Sequence, residues 1–146
     1  MYIPKVERLL VNYKTLEEFK KFKRYGEQEL SMLEDLQANI IEDNSESPFY
    51  GIYFGESLVA RMSLYETEDY IELYKLEVLP TLQRKGFGSA LVDYAKSLRQ
   101  PIKTIARVQS ELFWEKQGFE KVVIKDAPFY IWRPQPNVDA VSGESA

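Results

Sequence analysis

Gln83-Arg84-Lys85-Gly86-Phe87-Gly88-Ser89 is the stretch of sequence from which the fold can be worked out. It follows a strand-like run over residues 70–78 and opens a helix-like run over residues 89–99. Glycines at 86 and 88 permit backbone conformations that other residues avoid and leave neighbouring N–H groups accessible. A helix N-terminus adds unpaired N–H donors and the positive end of the helix dipole. The stretch therefore predicts a loop that binds phosphate or pyrophosphate, although a Gly-x-Gly before a helix is often only a tight turn.

The spacing of these glycines distinguishes between the known phosphate loops. It is neither the Gly-x-Gly-x-x-Gly of dinucleotide-binding folds nor the Gly-x-x-x-x-Gly-Lys-Ser/Thr of P-loops. It resembles the Gln/Arg-x-x-Gly-x-Gly/Ala signature of the GNAT acetyltransferase superfamily. The preceding strand end, Leu76-x-Val78-x-Pro80, and the later run over residues 113–119 are similar to that family as well. The resemblance spans about residues 5–133, and within the superfamily it points to the YlbP-like bacterial branch.

Composition indicates one soluble globular domain. The chain has 146 residues, of which 45% are hydrophobic and 29% charged, a mixture typical of globular proteins. A net charge of -4 without a long basic run argues against nucleic acid as a partner. No apolar stretch is long enough to cross a membrane, and the N-terminus lacks the core of a signal peptide. We therefore expect a cytoplasmic protein with a domain over residues 1–133 and a disordered tail over residues 134–146.

The sequence contains neither cysteine nor histidine. This absence excludes Cys or Ser-His nucleophile mechanisms, disulfide bonds, and thiolate or imidazole metal ligands, so we expect no metal. Carboxylates, tyrosine, lysine and water remain for proton transfer. Group transfer from a bound, already activated donor needs no more than these.

The pattern along the chain predicts an α+β fold of order β-α-α-β-β-β-α-β-α-β-β, a mixed sheet covered by helices. This is also the element order of the GNAT family. Capping boxes predict helix starts at Thr15, with Glu18, and at Ser31, with Glu34. Alternation in the strand over residues 70–78 places Glu72, Tyr74, Leu76 and Val78 on one face.

The resemblance implies how a cofactor binds. GNAT proteins hold acetyl-CoA between two strands that separate near the middle of the sheet. A flexible arm can lie along an unpaired strand edge while its phosphates rest on a helix end, which suits a pantetheine arm on the strand and a pyrophosphate on the loop. The residues assigned to the cofactor are Leu76, Glu77, Val78, Gln83, Arg84, Lys85, Gly86, Phe87, Gly88, Ser89, Arg107 and Trp114.

Glu72 is the candidate general base for transfer of the acetyl group to an amine. It lies eleven residues before Gln83, the spacing at which histone-type members of the family carry their base. The alternative is a surface glutamate, or one paired with a lysine. A base is needed because a protonated amine is not a nucleophile.

The chain departs from the family at two further positions. Trp114 stands where many members have the tyrosine that protonates the CoA thiolate, and an indole N–H is not a usable acid. Water or another tyrosine, such as Tyr74 or Tyr130, could replace it, or the thiolate leaves without a dedicated acid. Arg107 stands where members often have a cofactor-binding asparagine, and it is either a ligand of a phosphate or substrate carboxylate or an ordinary surface cation.

The expected acceptor is an amine of a small molecule or peptide. Carboxylates cluster near the central hairpin and would favour a cationic amine if they rim the cleft, although such turns are often merely solvated. They are Glu56, Glu66, Glu68, Asp69 and Glu72. The second hypothesis is a CoA-binding sensor or partner-binding protein without turnover. By analogy with the fold, a homodimer is possible.

Overall fold

The computed structural model describes residues 4–21, 27–42, 46–105 and 110–135. In these residues the strands are Val6–Arg8 (β1), Phe49–Phe54 (β2), Ser57–Glu66 (β3), Ile71–Val78 (β4), Ile102–Thr104 (β5), Glu120–Ile124 (β6) and Ala127–Trp132 (β7). The helices are Tyr13–Phe19 (α1), Glu27–Ile41 (α2), Phe87–Ser97 (α3) and Glu111–Lys116 (α4). This order confirms the predicted α+β arrangement.

One sheet contains all the strands, in the order β1-β2-β3-β4-β5-β7-β6. Neighbouring strands are antiparallel except β4 and β5, which are parallel. The parallel pairing is short, because it joins only Ile71 with Ile102, Glu72 with Lys103 and Leu73 with Thr104. The remainder of β4 therefore extends beyond the last residue that β5 pairs with.

Two hydrophobic clusters hold the helices against this sheet. One contains Leu91, Val92 and Ala95 of α3 together with Trp114 of α4, packed on β3 and β4. The other joins Phe19 of α1 with residues of α2, β2 and β3. Burial of such apolar surface supplies most of the favourable free energy of folding, so the sheet is covered by α1 and α2 in one layer and by α3 and α4 in the other.

Both predicted capping boxes are wrong. Helix α1 begins at Tyr13, and its N-cap is Asn12, whose side-chain oxygen accepts a hydrogen bond from Thr15 N at 2.9 Å. Asparagine is among the strongest N-caps and lies three residues earlier, so Thr15 is buried inside the helix. Glu18 does not reach back, because its carboxylate accepts a hydrogen bond from Leu58 N at 2.9 Å. Ser31 lies inside α2 instead of at its start.

A β-bulge in β4 changes the predicted alternation of side chains. Arg61 pairs with Glu77 and Ser63 with Tyr74, so two residues of β4 lie opposite Met62. Lys75 takes up the extra residue with a φ of 53°, and such an insertion shifts the following side chains to the other face. Leu76 and Val78 accordingly pack against the cluster that contains Leu73, not on the face of Glu72.

The same shift directs Glu77 toward a buried arginine. The Arg61 side chain is fully buried, and its Nη2 and Nε lie 2.9 and 3.2 Å from Glu77 Oε1. Its Nη1 donates to the carbonyl of Phe19 at 3.4 Å, and the guanidinium stacks over the Phe19 ring. Because a buried charge is tolerated only when paired and hydrogen-bonded, this contact network links β3, β4 and the end of α1.

We expect Glu77→Gln to lower the free energy of unfolding by about 3 kcal/mol, because it removes a carboxylate charge 2.9 Å from the buried Arg61 guanidinium. Urea denaturation measures the change. Glu17→Gln is the matched control, since it removes an exposed pair with Lys20 and should cost less than about 1 kcal/mol. Equal, small losses for the two variants would contradict this account of Arg61.

The predicted disordered tail and the predicted absence of a membrane span remain to be compared with the structure. From residue 136 onward, the tail lies outside the described residues. Across the part of the chain that is described, no helix is long and apolar enough to span a membrane.

Candidate active site

A cavity of about 1110 Å³ lies where β4 and β5 separate. At the last paired position, the Thr104 hydroxyl donates to the carbonyl of Leu73 at 2.9 Å. Beyond it, the cavity is bordered by β4, the glycine loop and α4. The sequence-predicted residues that line it are Leu76, Glu77, Val78, Gln83, Arg84, Gly86, Gly88, Ser89 and Trp114. The structure thus brings the strand end and the glycine loop to one cavity.

The glycine loop presents a helix start to this cavity. Arg84 and Gly86 have φ values of 65° and 89°, and Gly86 is the N-cap of α3. The first hydrogen bond of the helix runs from Ala90 N to Gly86 O at 3.0 Å, and no side chain caps Gly86. N–H groups before Ala90 consequently have no acceptor within the helix. This geometry favours an anion at the wall formed by Gly86, Gly88 and Ser89.

Two residues assigned to the cofactor, Lys85 and Phe87, do not line the cavity, and a third, Arg107, lies outside the described residues. The Phe87 ring is buried in the core. Phe87 is buried because it is the first residue of α3 and faces the sheet. A role of these residues in cofactor binding stays a prediction.

Helix α4 forms the opposite wall through Phe113 and Trp114. A Cβ on Gly88 would lie 3.4 Å from the Phe113 ring, so the two helices approach closely here. Trp114 is buried, with Phe113 and Phe119 each at 5.0 Å between ring centroids. Gln117 Nε2 donates to Ser89 Oγ at 2.9 Å and joins α4 to the start of α3.

Glu72 lies next to the cavity and does not line it. Its Oε2 accepts a hydrogen bond from the Tyr74 hydroxyl at 2.5 Å, and its Oε1 lies 3.6 Å from Lys103 Nζ. Lys103 Nζ also lies over the rings of Tyr70 and Phe129. The predicted base is therefore held in an ordered pair on the face of the sheet opposite Leu73.

Tyr74 borders the cavity beside Glu72, and its side chain is 38% exposed. The hydrogen bond to Glu72 raises the pKa of Tyr74 to about 12, with further contributions from burial and from the Glu72 charge. Tyr130, the other suggested acid, is buried, donates to Glu115 at 3.4 Å and does not line the cavity. Burial raises the pKa of Tyr130 as well. Of the two tyrosines, only Tyr74 reaches the site.

The carboxylates expected to rim the cleft do not line this cavity. The reason is position along β4: the turn that carries Glu66, Glu68 and Asp69 lies at its N-terminal end, and the cavity at its C-terminal part. Glu66 instead borders a separate groove with Asp35 and Glu46. This carboxylate cluster therefore gives no reason to expect a cationic acceptor.

Several lining residues were not predicted as site residues, among them Lys75, Thr104, Ile105, Leu112, Phe113 and Lys116. Phe113 and Lys116 belong to the run that resembles the family, so that run could have indicated them. Thr104 and Ile105 carry no local signal, because their position depends on the register between β4 and β5. Among the described residues, no group of three or more Asp or Glu is placed to hold a metal ion.

We expect Glu72→Gln to lower the pKa of Tyr74 from about 12 toward its usual value near 10, because an amide stabilises the neutral phenol less than a carboxylate does. Tyrosine-specific ¹³C NMR titration measures this value. Tyr65 is the internal control, since burial and Asp35, not Glu72, raise its pKa. A Tyr74 pKa that stays near 12 in the variant would contradict the observed pair.

Comparison with known proteins assigns the family. The model of the acetyltransferase (GNAT) family matches residues 12–119. Proteins named as uncharacterised N-acetyltransferases from Bacillus cereus strain AH187 and Bacillus mycoides strain KBAB4 are each 62% identical over 156 aligned residues, covering 100% of this chain and 99% of theirs.

Solved structures agree. The N-acetyltransferase YlbP of Bacillus subtilis, crystallised in complex with coenzyme A, is 56% identical and superposes with a TM-score of 0.76 over 90% of this chain and 97% of its own. PaiA N-acetyltransferase from Thermoplasma acidophilum shares the fold, with a TM-score of 0.66 over 92% of this chain and 100% of its own, at 14% identity.

The chain therefore belongs to the GNAT acetyltransferase family, and its enzymatic class is that of an N-acetyltransferase. Within the family it resembles the YlbP-like bacterial branch, as its sequence motifs predict.

Proposed function

We propose that the protein transfers an acetyl group from acetyl-CoA directly to an amine of a small molecule or peptide. The observation that carries this proposal is the early end of pairing between β4 and β5, which leaves a strand edge and a glycine loop on the same cavity. An elongated donor with an amide-containing arm and a pyrophosphate fits both features. The similar YlbP of Bacillus subtilis was crystallised with coenzyme A.

The arm of the donor would lie along β4. Leu76, Glu77 and Val78 line the cavity beyond the last position that pairs with β5, so the edge of β4 faces the space that the amides of pantetheine would occupy. Such pairing adds a strand-like ligand to a sheet edge. This pairing also orients the donor, because the thioester end then points toward Leu73 and Thr104, where β4 and β5 separate.

The phosphates would bind at the other end of the cavity. Backbone N–H groups of residues 84–89 and the start of α3 provide donors without formal charge. Arg84 and Lys116 line the cavity and add positive charge. Lys85 and Arg107 belong to the same proposal as cofactor-binding residues, and their support is the family resemblance.

The reaction needs removal of a proton from the acceptor amine. The amine nitrogen attacks the thioester carbonyl carbon, the C–N bond forms, and the C–S bond breaks to release the CoA thiolate. Glu72 is the proposed general base, because it lies one residue before Leu73, the last position that pairs with β5, and its carboxylate contacts Tyr74, which lines the cavity. The cytoplasmic location is part of the proposal and rests on the sequence alone.

The rival function is a CoA-binding sensor without turnover. Trp114 favours it, because this buried indole occupies the place of the family's acid and cannot protonate a thiolate. Both functions require the cofactor, so binding alone does not distinguish them. Turnover does.

Calorimetric titration with acetyl-CoA, followed by thiol release against spermidine, kanamycin and a lysine peptide, tests the proposal. We expect binding and thiol release above the rate of uncatalysed hydrolysis. Gly86→Val should abolish binding, since a β-branched residue strains a positive φ by about 1–3 kcal/mol and distorts the loop. Gly55→Val is the matched control, because Gly55 has a φ of 68° and open space but lies in the β2–β3 turn.

The outcomes separate the hypotheses. Binding by the wild type and Gly55→Val but not by Gly86→Val supports the loop assignment. Binding without thiol release on any amine favours the sensor. Failure of the wild type to bind acetyl-CoA contradicts both functions.

We expect Glu72→Gln to reduce kcat/KM about 100-fold at neutral pH, the usual contribution of a general base. The deficit should shrink as pH rises, because an amine that is already deprotonated needs no base. Affinity for acetyl-CoA should stay unchanged in calorimetry. Wild-type rates across the pH range would remove Glu72 from the mechanism.

A further inference from the structure

Glu72 is the proposed base, yet its contact with the cavity is indirect. Glu72 is not among the residues that line the cavity, whereas Tyr74 is. The shortest contact of the carboxylate is the hydrogen bond from Tyr74, at 2.5 Å. The Tyr74 hydroxyl therefore joins the carboxylate to a residue of the cavity wall.

Tyr74 also stands at the correct end of the cavity. It follows directly after Leu73, the last residue of β4 that pairs with β5. If the pantetheine arm lies along Leu76, Glu77 and Val78, the thioester end lies toward Leu73 and Tyr74, where β4 begins to separate from β5. Tyr65 packs edge-on against the Tyr74 ring at 5.5 Å between centroids and restricts its orientation.

We propose that Tyr74 relays protons between the acceptor amine and Glu72, and that the same hydroxyl returns a proton to the departing thiolate. This inference rests on the proposed function, because it concerns the same reaction. It assigns Tyr74 a role that the tyrosine of α4 has elsewhere in the family, at a position where this chain has Trp114.

The relay balances in two steps. In the first step the amine nitrogen attacks the thioester carbon, the C–N bond forms and the C–S bond breaks. At the same time an N–H proton passes to the Tyr74 oxygen, and the Tyr74 proton passes to Glu72. The products are the amide, the CoA thiolate and protonated Glu72. In the second step the proton of Glu72 returns to the Tyr74 oxygen as the Tyr74 proton passes to the thiolate. Glu72 is again ionised, CoA leaves as the thiol, and the net reaction consumes no other acid or base.

The surroundings favour a neutral phenol. The charged and titratable groups around Tyr74 come from four elements: Glu72 from β4, Tyr65 from β3, Lys103 from β5 and Asp35 from α2. Asp35 forms an ion pair with Lys75. Because the pKa of Tyr74 is raised to about 12, its hydroxyl keeps a proton at neutral pH. Such a group gives up its proton only as it takes another, and this is what a relay requires.

A double-mutant cycle on Tyr74→Phe and Glu72→Gln tests the relay, with Tyr65→Phe as the matched control. Tyr65→Phe keeps the ring contact and removes a neighbouring hydroxyl outside the cavity. The readouts are acetyl-CoA affinity by calorimetry and thiol release from acetyl-CoA with spermidine, kanamycin and a lysine peptide, with water as acceptor if none of them reacts.

We expect each single variant to lose about 100-fold in kcat, with acetyl-CoA affinity within about twofold of the wild type. The double variant should be no slower than the slower single variant, because the two residues act in one chain. The loss in Tyr74→Phe should shrink as pH rises, an effect that a merely structural role would not produce. Tyr65→Phe should keep the wild-type rate.

Contrary results are distinct. A Tyr74→Phe enzyme with wild-type turnover overturns the relay and leaves the proposed transferase standing. Multiplicative losses in the double variant overturn it too, because they mean separate roles. Absence of any protein-dependent thiol release in the wild type overturns both the relay and the proposed function.

Discussion

The structure depends on the point at which β4 and β5 stop pairing. Parallel pairing ends at Leu73 and Thr104, where the Thr104 hydroxyl donates a hydrogen bond to the carbonyl of Leu73. Beyond that point β4 continues as a strand with one edge toward the cavity. A strand edge carries N–H and C=O groups that must find partners. In the proposed complex the pantetheine arm would supply these partners and extend the sheet.

A second constraint keeps the edge of β4 in place. The bulge at Lys75 turns Leu76 and Val78 into the core and Glu77 toward Arg61. Leu76 and Val78 anchor β4 to α3 and α4, and the ion pair between Glu77 and Arg61 ties β4 to the end of α1. Side chains on both faces of β4 therefore hold its open edge in place, as a preorganised binding site requires. The buried ion pair between Arg61 and Glu77 fixes the position of β4. Its net contribution to stability is small, because an apolar pair in its place is often as stable, although removing one partner alone is costly.

Much of this could be predicted from the sequence, because element order follows from local periodicity and the glycine loop from residue type. The starts of α1 and α2 could not be predicted from the sequence. Thr15 and Ser31 match the local capping motif, but α1 is capped by Asn12 and α2 begins before Ser31. The bulge was equally hidden, since Lys75 is not a residue that signals a positive φ. The contact between Tyr74 and Glu72 was missed although both were named, because alternation shows a shared face and not a hydrogen bond.

A crystal structure of the protein with coenzyme A tests the central claim most directly. The account predicts the pyrophosphate within about 3 Å of backbone N–H groups at the start of α3, and the pantetheine arm paired with Leu76, Glu77 and Val78. Its thiol would then lie beside Tyr74. Coenzyme A bound elsewhere, or β4 and β5 paired along the whole length of β4, would contradict it.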